Sequence, residues 1–351
     1  MRGSFTPGYL DRLALPPDAV RSISELGVHR GRQELFGVQF PQALEVLREV
    51  AVIQSVESSN RIEGVTAAPQ RLVALVAQKT TPVDRSEQEI AGYRDALSFV
   101  HANAGHIWPL TNGVVLQLNR SMNSFMASPG GAWKPADNDI VEWTPEGEKR
   151  VRFTPVHAHL VDDAMIDLHV SLRELWEGGR IDPLVLSAAY ALDFLCVHPF
   201  LDGNGRMSRL LTLVLTYQAG LEVGRYISLE RIVEDSRESY YEALALSSKG
   251  WHEAQHDLLP WLEYFLGVLL VAYREFEARV GAVQSPKGAK RELVVDCIRH
   301  LPIQFQFADV TRSCPGVSRP TIDRALRQLR QSGEIRLLRA GRDAQWERTP
   351  S

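Results

Sequence analysis

The run "PLVLSAAYALDFLC", residues 183–196, is apolar on nearly every side at helical spacing. A helix without a polar face has to be surrounded by other elements, so this segment predicts a central helix with the rest of the chain packed around it. It stops at His198-Pro199, because a residue before proline is driven out of helical geometry. A second helix is expected from about Gly205 to Ala219, burying Met207, Leu210, Leu211, Val214 and Leu215.

The surroundings read as helical too. In "QALEVLREVAVIQSVESSNRIEG" (42–64) Ala43, Val46, Leu47, Val50 and Ile53 form one stripe that ends at Gly64. Residues 86–103, 110–127 and 163–179 follow the same period, the last closing on two glycines, and further helices are expected at about 230–248 and 253–279. "DNDIVEWTPEGEKRVRFTPV" (137–156) differs: Ile140, Val141 and Trp143 face Val151 and Phe153 across a Pro-Glu-Gly turn, which predicts a short β-hairpin. The fold class is therefore mainly α with one hairpin. The longest apolar stretch, "FLGVLLVAY" (265–273), is far shorter than a membrane span, and the first thirty residues show no signal pattern, so a cytoplasmic protein without a membrane partner is expected. Cys196, Cys297 and Cys314 are widely spaced and match no metal or disulfide pattern, so they read as buried small residues. His157 and His159 in "VHAH" lack anything to complete a ligand set and read as surface residues.

The net charge of −4 hides a division. Residues 287–351 hold 13 Lys and Arg against 7 Asp and Glu, a net of +6, which leaves −10 on the other 286 residues. "GAVQSPKGAK" (281–290) is the linker candidate between them. Beyond it the order is helix ("RELVVDCIRHL"), short helix, turn, helix, then two strands around Ala-Gly-Arg-Asp, the pattern of a winged helix-turn-helix. In the helix after Ser318, a candidate N-cap, the stripe Ile322, Ala325, Leu326 and Leu329 is core, leaving Arg319, Arg324, Arg327 and Arg330 on other faces. A basic helix on such a module fits DNA, and equally a protein surface.

The chemistry lies in "HPFLDGNGRMSRLL", residues 198–211. Arg206 and Arg209 open the second core helix, where a cation opposes the macrodipole by roughly 0.3–1 kcal/mol. An anion is needed there. Gly203 and Gly205 let backbone N–H groups of the "DGNG" loop approach such an anion closely, a cradle suited to phosphates. Asp202 in such a loop is best explained as a ligand of Mg2+, which takes a carboxylate together with phosphate oxygens. His198 is the group able to accept a proton near neutral pH, as a general base on an attacking hydroxyl must.

"HPFLDGNGRMSR" fills every fixed position of the Fic family motif, and the chain resembles that family over about residues 40–275. The resemblance implies transfer of AMP from ATP to a hydroxyl side chain of a target protein. His198 would then deprotonate the hydroxyl, Asp202 hold Mg2+, and Gly203, Asn204 and Gly205 bind the α- and β-phosphates. Arg206 would contact phosphates, Arg209 the γ-phosphate, and Phe200 anchor the loop. The kinase-like Doc branch has lysine where this chain has Gly205, which aligns the chain with the nucleotidyl transferases. "SSNRIEG" resembles the family's inhibitory motif through Ser59, Glu63 and Gly64, implying a glutamate that pairs with Arg209 and excludes the γ-phosphate, or that helps remove AMP. Tyr240 and Tyr241 in "SRESYYEAL" resemble the tyrosines beside the adenine, and the hairpin at 137–156 resembles the flap that docks a target by strand addition.

The expected organisation is an N-terminal helical region (1–100) with its inhibitory helix at about 42–64, a Fic domain (101–280) and a winged helix-turn-helix domain (287–351). The expected function is an autoinhibited protein adenylyltransferase using ATP and Mg2+; the alternative is a DNA-binding regulator that senses nucleotide through its Fic domain. Similar proteins recur as homodimers, so a second copy is a further expected partner.

Overall fold

The 183–197 segment is covered on every side in the computed structural model, which describes residues 3–39, 41–128, 130–143, 147–282, 291, 294–295, 297–298, 301, 303–314, 317–339, 341 and 344–349. That segment is α7 (Pro183–Val197); Asp182 caps it by accepting from the Leu184 amide at 2.8 Å, with Pro183 in the first turn. Against it pack α6 (Val161–Gly178), α8 (Asn204–Gln218) and α11 (Leu259–Ala282). Leu186, Ala188, Tyr190 and Phe194 of α7 and Leu210, Leu211 and Val214 of α8 are fully buried. The two core helices therefore fix the loop between them.

Around this pair lie α1 (Pro17–Gln39) on α11, α2 (Pro41–Ile62) on α4 (Arg85–Asn103) and α9 (Leu229–Asp235), α5 (Asn112–Met122) on α4, and α10 (Arg237–Ser247) on α11. The short α3 (Pro69–Val76) packs on α2 and α4. β1 (Ile140–Trp143) and β2 (Lys149–Phe153) form an antiparallel hairpin, with Val141 opposite Val151 and Ile140 opposite Phe153. That register leaves Arg152 without a cross-strand partner, a bulge on β2. The hairpin's 144–146 turn lies outside the described residues. In the tail, β3 (Gln304–Gln306), α12 (Phe307–Ser313), α13 (Arg319–Gln331), β4 (Ile335–Arg339) and β5 (Gln345–Arg348) give a three-stranded antiparallel sheet in the order β3-β5-β4.

The expected helices at 42–64, 86–103 and 163–179 are present within two residues of their ends, and Gly179 closes α6 in the left-handed conformation. Three expectations change. The 230–248 segment breaks at Ser236, whose hydroxyl bonds the Ile232 carbonyl at 2.7 Å and the Tyr264 hydroxyl at 2.9 Å. The 253–279 segment becomes helical only at Leu259, because Ala254 has a positive φ of 53° and Asp257 caps the Leu259 amide. The 110–127 segment ends at Met122, where the Asn123 amide group turns back to the Asn119 carbonyl at 2.8 Å.

Of the linker candidate, residues 281–282 belong to α11 and 283–290 lie outside the described residues. The tail's first expected helix is described at residues 291, 294, 295, 297 and 298, which are helical. Most of the Ala-Gly-Arg-Asp turn is likewise outside. Ser318 does precede α13, yet its hydroxyl meets Thr321 Oγ1 at 3.0 Å and caps no amide. Ile322, Ala325, Leu326 and Leu329 are buried as expected. Cys196, Cys297 and Cys314 are buried thiols, and His157 pairs with Asp137 at 2.7 Å on the surface. Among the described residues no helix is long and apolar enough to cross a membrane.

Candidate active site

His198 ends α7 in the left-handed region, φ 51° and ψ 61°, a conformation that turns the chain sharply into Pro199. Its Nδ1 faces the Leu195 carbonyl at 3.2 Å, so a proton held there leaves Nε2 as the free lone pair. Burial, and then the cations Lys134 and Arg152, push its pKa down to about 4, although the Leu195 carbonyl and Glu63 act in the opposite sense. The imidazole is therefore a neutral base at physiological pH.

Phe200 holds the loop to the core, 3% exposed and against Phe194 and Trp133. Asn204 staples it: Oδ1 accepts from the Phe200 amide at 3.0 Å and Nδ2 donates to the Phe200 carbonyl at 2.7 Å. The side chain expected on phosphate thus shapes the loop. Gly203 (φ 81°) makes the turn into α8, and Asp202, largely exposed, accepts from the Gly203 amide at 2.6 Å.

The two arginines differ in their partners. Arg209 is 7% exposed; its Nε donates to Ser59 Oγ at 2.9 Å and its Nη2 to the Ser59 carbonyl at 2.9 Å and Glu63 Oε1 at 2.8 Å. Burial disfavours the charge, but the facing Glu63 outweighs it and holds the guanidinium pKa above its ordinary value. Its Nη1 is buried without a hydrogen-bond partner among the described residues. Arg206 is likewise paired at rest, Nη1 donating to Glu89 Oε2 at 2.7 Å and Asn60 Oδ1 at 3.2 Å, and its Nε too is buried without a hydrogen-bond partner among the described residues. Its Nη2 lies 4.0 Å from Asp202.

Glu63 reaches Arg209 because Gly64, with φ 80°, stops α2 just behind it, the Val65 amide closing on the Asn60 carbonyl at 2.9 Å. Gly205 is the other half of the fit: a Cβ there would overlap Glu63 Oε1. Glu63, His198, Gly205, Arg152, Tyr240 and Tyr241 all line one cavity of about 200 Å³. Tyr240 is buried, edge-on to Tyr241, Trp261 and Tyr264, while Tyr241 lies under the Arg237 guanidinium.

Sequence reasoning thus named residues that the fold does bring together. It missed Glu89, which reaches Arg206 from an element with no readable motif, and Asn60, an unspecified position inside the "SSNRIEG" stretch of α2. It also missed the buried Lys134, whose amide bonds the Pro199 carbonyl at 2.8 Å and whose ammonium bonds Asn138 at 2.9 Å. Arg152 escaped as well, since its exit from the ladder follows from strand register.

A helical bundle that holds a histidine, a glycine loop and two buried arginines at one helix N-terminus defines a class with known members. Residues 109–216 match the model of the Fic/DOC family, and this part of the chain belongs to that family. The protein adenylyltransferase Fic of Drosophila yakuba is 24% identical over 278 residues, 72% of this chain and 52% of its own length. Protein adenylyltransferase fic-1 of Caenorhabditis elegans is 30% identical over 113 residues, covering 32% of this chain and 20% of its own. The chain spans about half the length or less of these curated relatives. A crystal structure of a Fic family protein from Desulfovibrio desulfuricans superposes with a TM-score of 0.62 at 21% identity, over 97% of this chain and 98% of that one, which shows the fold. The matched 109–216 region contains the β1–β2 hairpin and the 198–209 motif; Ser59, Glu63, Gly64, Tyr240 and Tyr241 fall outside it.

Proposed function

We propose that the protein is an adenylyltransferase that moves AMP from ATP to a hydroxyl side chain of a target protein, and that Glu63 holds it inactive at rest. The observation that carries this is the state of Arg209. It is buried, charged, tied to Ser59 and Glu63, and left with one unsatisfied donor at the glycine loop. A carboxylate occupying an arginine at a helix N-terminus stands where a phosphate would bind. The insect and nematode relatives, both protein adenylyltransferases by name, point the same way.

In this reading His198 Nε2 takes the proton of the target hydroxyl, whose oxygen attacks the α-phosphorus. The Gly205 amide receives phosphate oxygens while that of Gly203 stays on Asp202, and Arg209 exchanges Glu63 for the γ-phosphate. Asn204 acts by fixing the loop, and Arg206, anchored by Glu89, turns its Nη2 toward Asp202. Tyr240 and Tyr241 wall the base side. Asp202, exposed and with one oxygen bonded to the Gly203 amide, fits a Mg2+ shared with phosphate oxygens. No group of three His, Cys, Asp or Glu among the described residues forms a protein-only metal cage. Such an ion would neutralise phosphate charge.

The test is transfer of label from ATP in the presence of Mg2+ to the protein itself and to lysate proteins, read by mass spectrometry. Glu63→Gly is expected to transfer AMP faster than wild type by about tenfold or more, and His198→Ala added to it to abolish transfer. Silence of Glu63→Gly would sink the enzyme reading. Arg324, Arg327 and Arg330 lie exposed along α13 in the basic tail, and this row supports a second role in DNA binding, within a winged helix-turn-helix domain. Loss of a gel shift in Arg324→Ala and Arg327→Ala is its expected sign.

A further inference from the structure

We infer that Arg152, on the bulge of the flap strand β2, is a nucleotide contact that receives the α-phosphate. The inference rests on the adenylyltransferase reading and adds a residue to it. Both arginines of the 198–209 motif already face a carboxylate at rest, Arg206 that of Glu89 and Arg209 that of Glu63. Lys134 is turned into the protein and bonded to Asn138. Arg152 is different. It lines the cavity that His198, Gly205 and Glu63 share, and it makes no hydrogen bond or ion pair with another described residue.

Strand geometry explains how it gets there. Glu142 opposes Arg150 and Val141 opposes Val151, but Ile140 opposes Phe153, so Arg152 is the inserted residue. A bulge re-aims the side chain it releases, and here the neighbouring wall of the cavity is the site itself. Arg150, two residues earlier, stays in the ladder and faces Glu142 at 4.0 Å, mostly in solvent.

The position along the nucleotide follows from His198. Arg152 and His198 line the same cavity, and Arg152 is one of the cations that disfavour the protonated imidazole. A base must sit beside the hydroxyl it deprotonates, and that hydroxyl attacks the α-phosphorus, so a cation felt at His198 is near the α-phosphate. In the step, the hydroxyl oxygen forms a bond to the α-phosphorus and His198 Nε2 takes its proton. The bond from the α-phosphorus to the bridging oxygen breaks, and pyrophosphate leaves with the electron pair. Negative charge on the non-bridging oxygens is then met by a planar guanidinium that can donate two bonds at once. The same contact is available to AMP, in which the α-phosphate is the only phosphate.

The experiment uses the full chain in the Glu63→Gly background, with His198→Ala added for calorimetric binding of ATP and of AMP with Mg2+. Arg152→Ala is expected to weaken both nucleotides by about tenfold, the loss of a charge-assisted contact. It is also expected to lower kcat and move the acid limb of the rate profile to higher pH, because His198 loses a neighbouring cation. Arg152→Lys should recover part of the binding, and Arg150→Ala should leave it unchanged. Nucleotide affinities and rates equal to the parent in Arg152→Ala would overturn the inference. So would unchanged nucleotide binding with a raised KM for the protein target, which would make Arg152 a reader of an acidic group on that target. A parent that transfers AMP while Arg152→Ala does so equally removes this contact alone; a parent that binds neither nucleotide removes the adenylyltransferase reading and this contact together.

Discussion

A methyl group added at Gly205 would overlap Glu63 Oε1 while that carboxylate sits on Arg209. Gly205 lies within α8 and has no positive φ, so without Glu63 an alanine there should be favoured by roughly 1 kcal/mol, through the smaller backbone entropy lost on folding. The two effects have opposite signs. Gly205→Ala is therefore expected to lower the melting temperature of the wild type, by expelling Glu63, and to raise it in the Glu63→Gly background. Scanning fluorimetry of the four proteins decides this, and equal losses in both backgrounds would mean that Glu63 is not docked. At this scale the readable residues were those inside a motif, because fixed spacing along one helix fixes geometry. Arg206 shows the limit: its ion-pair partner is 117 residues away on another helix, and nothing in either local sequence announces the pair.

Among the elements, α4 does more than pack. Asp84 caps it by accepting from the Glu87 amide at 2.8 Å, which sets the first turn and with it Glu89. Glu89 then meets Arg206 with both side chains at most 10% exposed. Removing one partner of such a pair strands a charge, so Glu89→Ala is expected to destabilise the protein by about 3 kcal/mol in urea unfolding. A loss below about 1 kcal/mol, the scale of a surface ion pair, would show that water reaches Arg206. Elements with one clear apolar stripe were legible from the sequence, as in α6. α1 was not: among its described side chains Ala19, Leu26 and His29 are the buried positions, and it meets α11 through His29, which stacks on Tyr273 and bonds Glu277 at 2.9 Å. Polar contacts of that kind carry no period. The break at Ser236 was hidden for the same reason, since a serine hydroxyl that bonds the backbone looks like any helix-surface serine.

Across the whole molecule, the chain's beginning is tied to the helix that presents His198. Asp193 of α7 is 1% exposed and accepts from the Ser4 amide and hydroxyl, each at 2.8 Å, and from Trp251 Nε1 at 2.6 Å. His256 also meets the Ser4 hydroxyl, at 2.9 Å, but burial pushes its pKa down to about 4, so it brings no charge at neutral pH. A carboxylate buried among neutral donors has its pKa raised, here to about 7 from 3.8, the hydrogen bonds opposing burial only in part. The folded protein therefore binds a proton at Asp193 that the unfolded chain has already released, and the contribution is fully present below about pH 4. It is lost as pH rises toward 7 and is constant above that. Other groups titrate too, the buried histidines in the opposite sense, so the quantity to follow is the difference in unfolding free energy between wild type and Asp193→Asn. From pH 5 to pH 8 that difference is expected to move against the wild type by about 3 kcal/mol. A difference independent of pH would mean that Asp193 is ionised throughout, and that the clasp on α7 is held by a charge rather than by a proton.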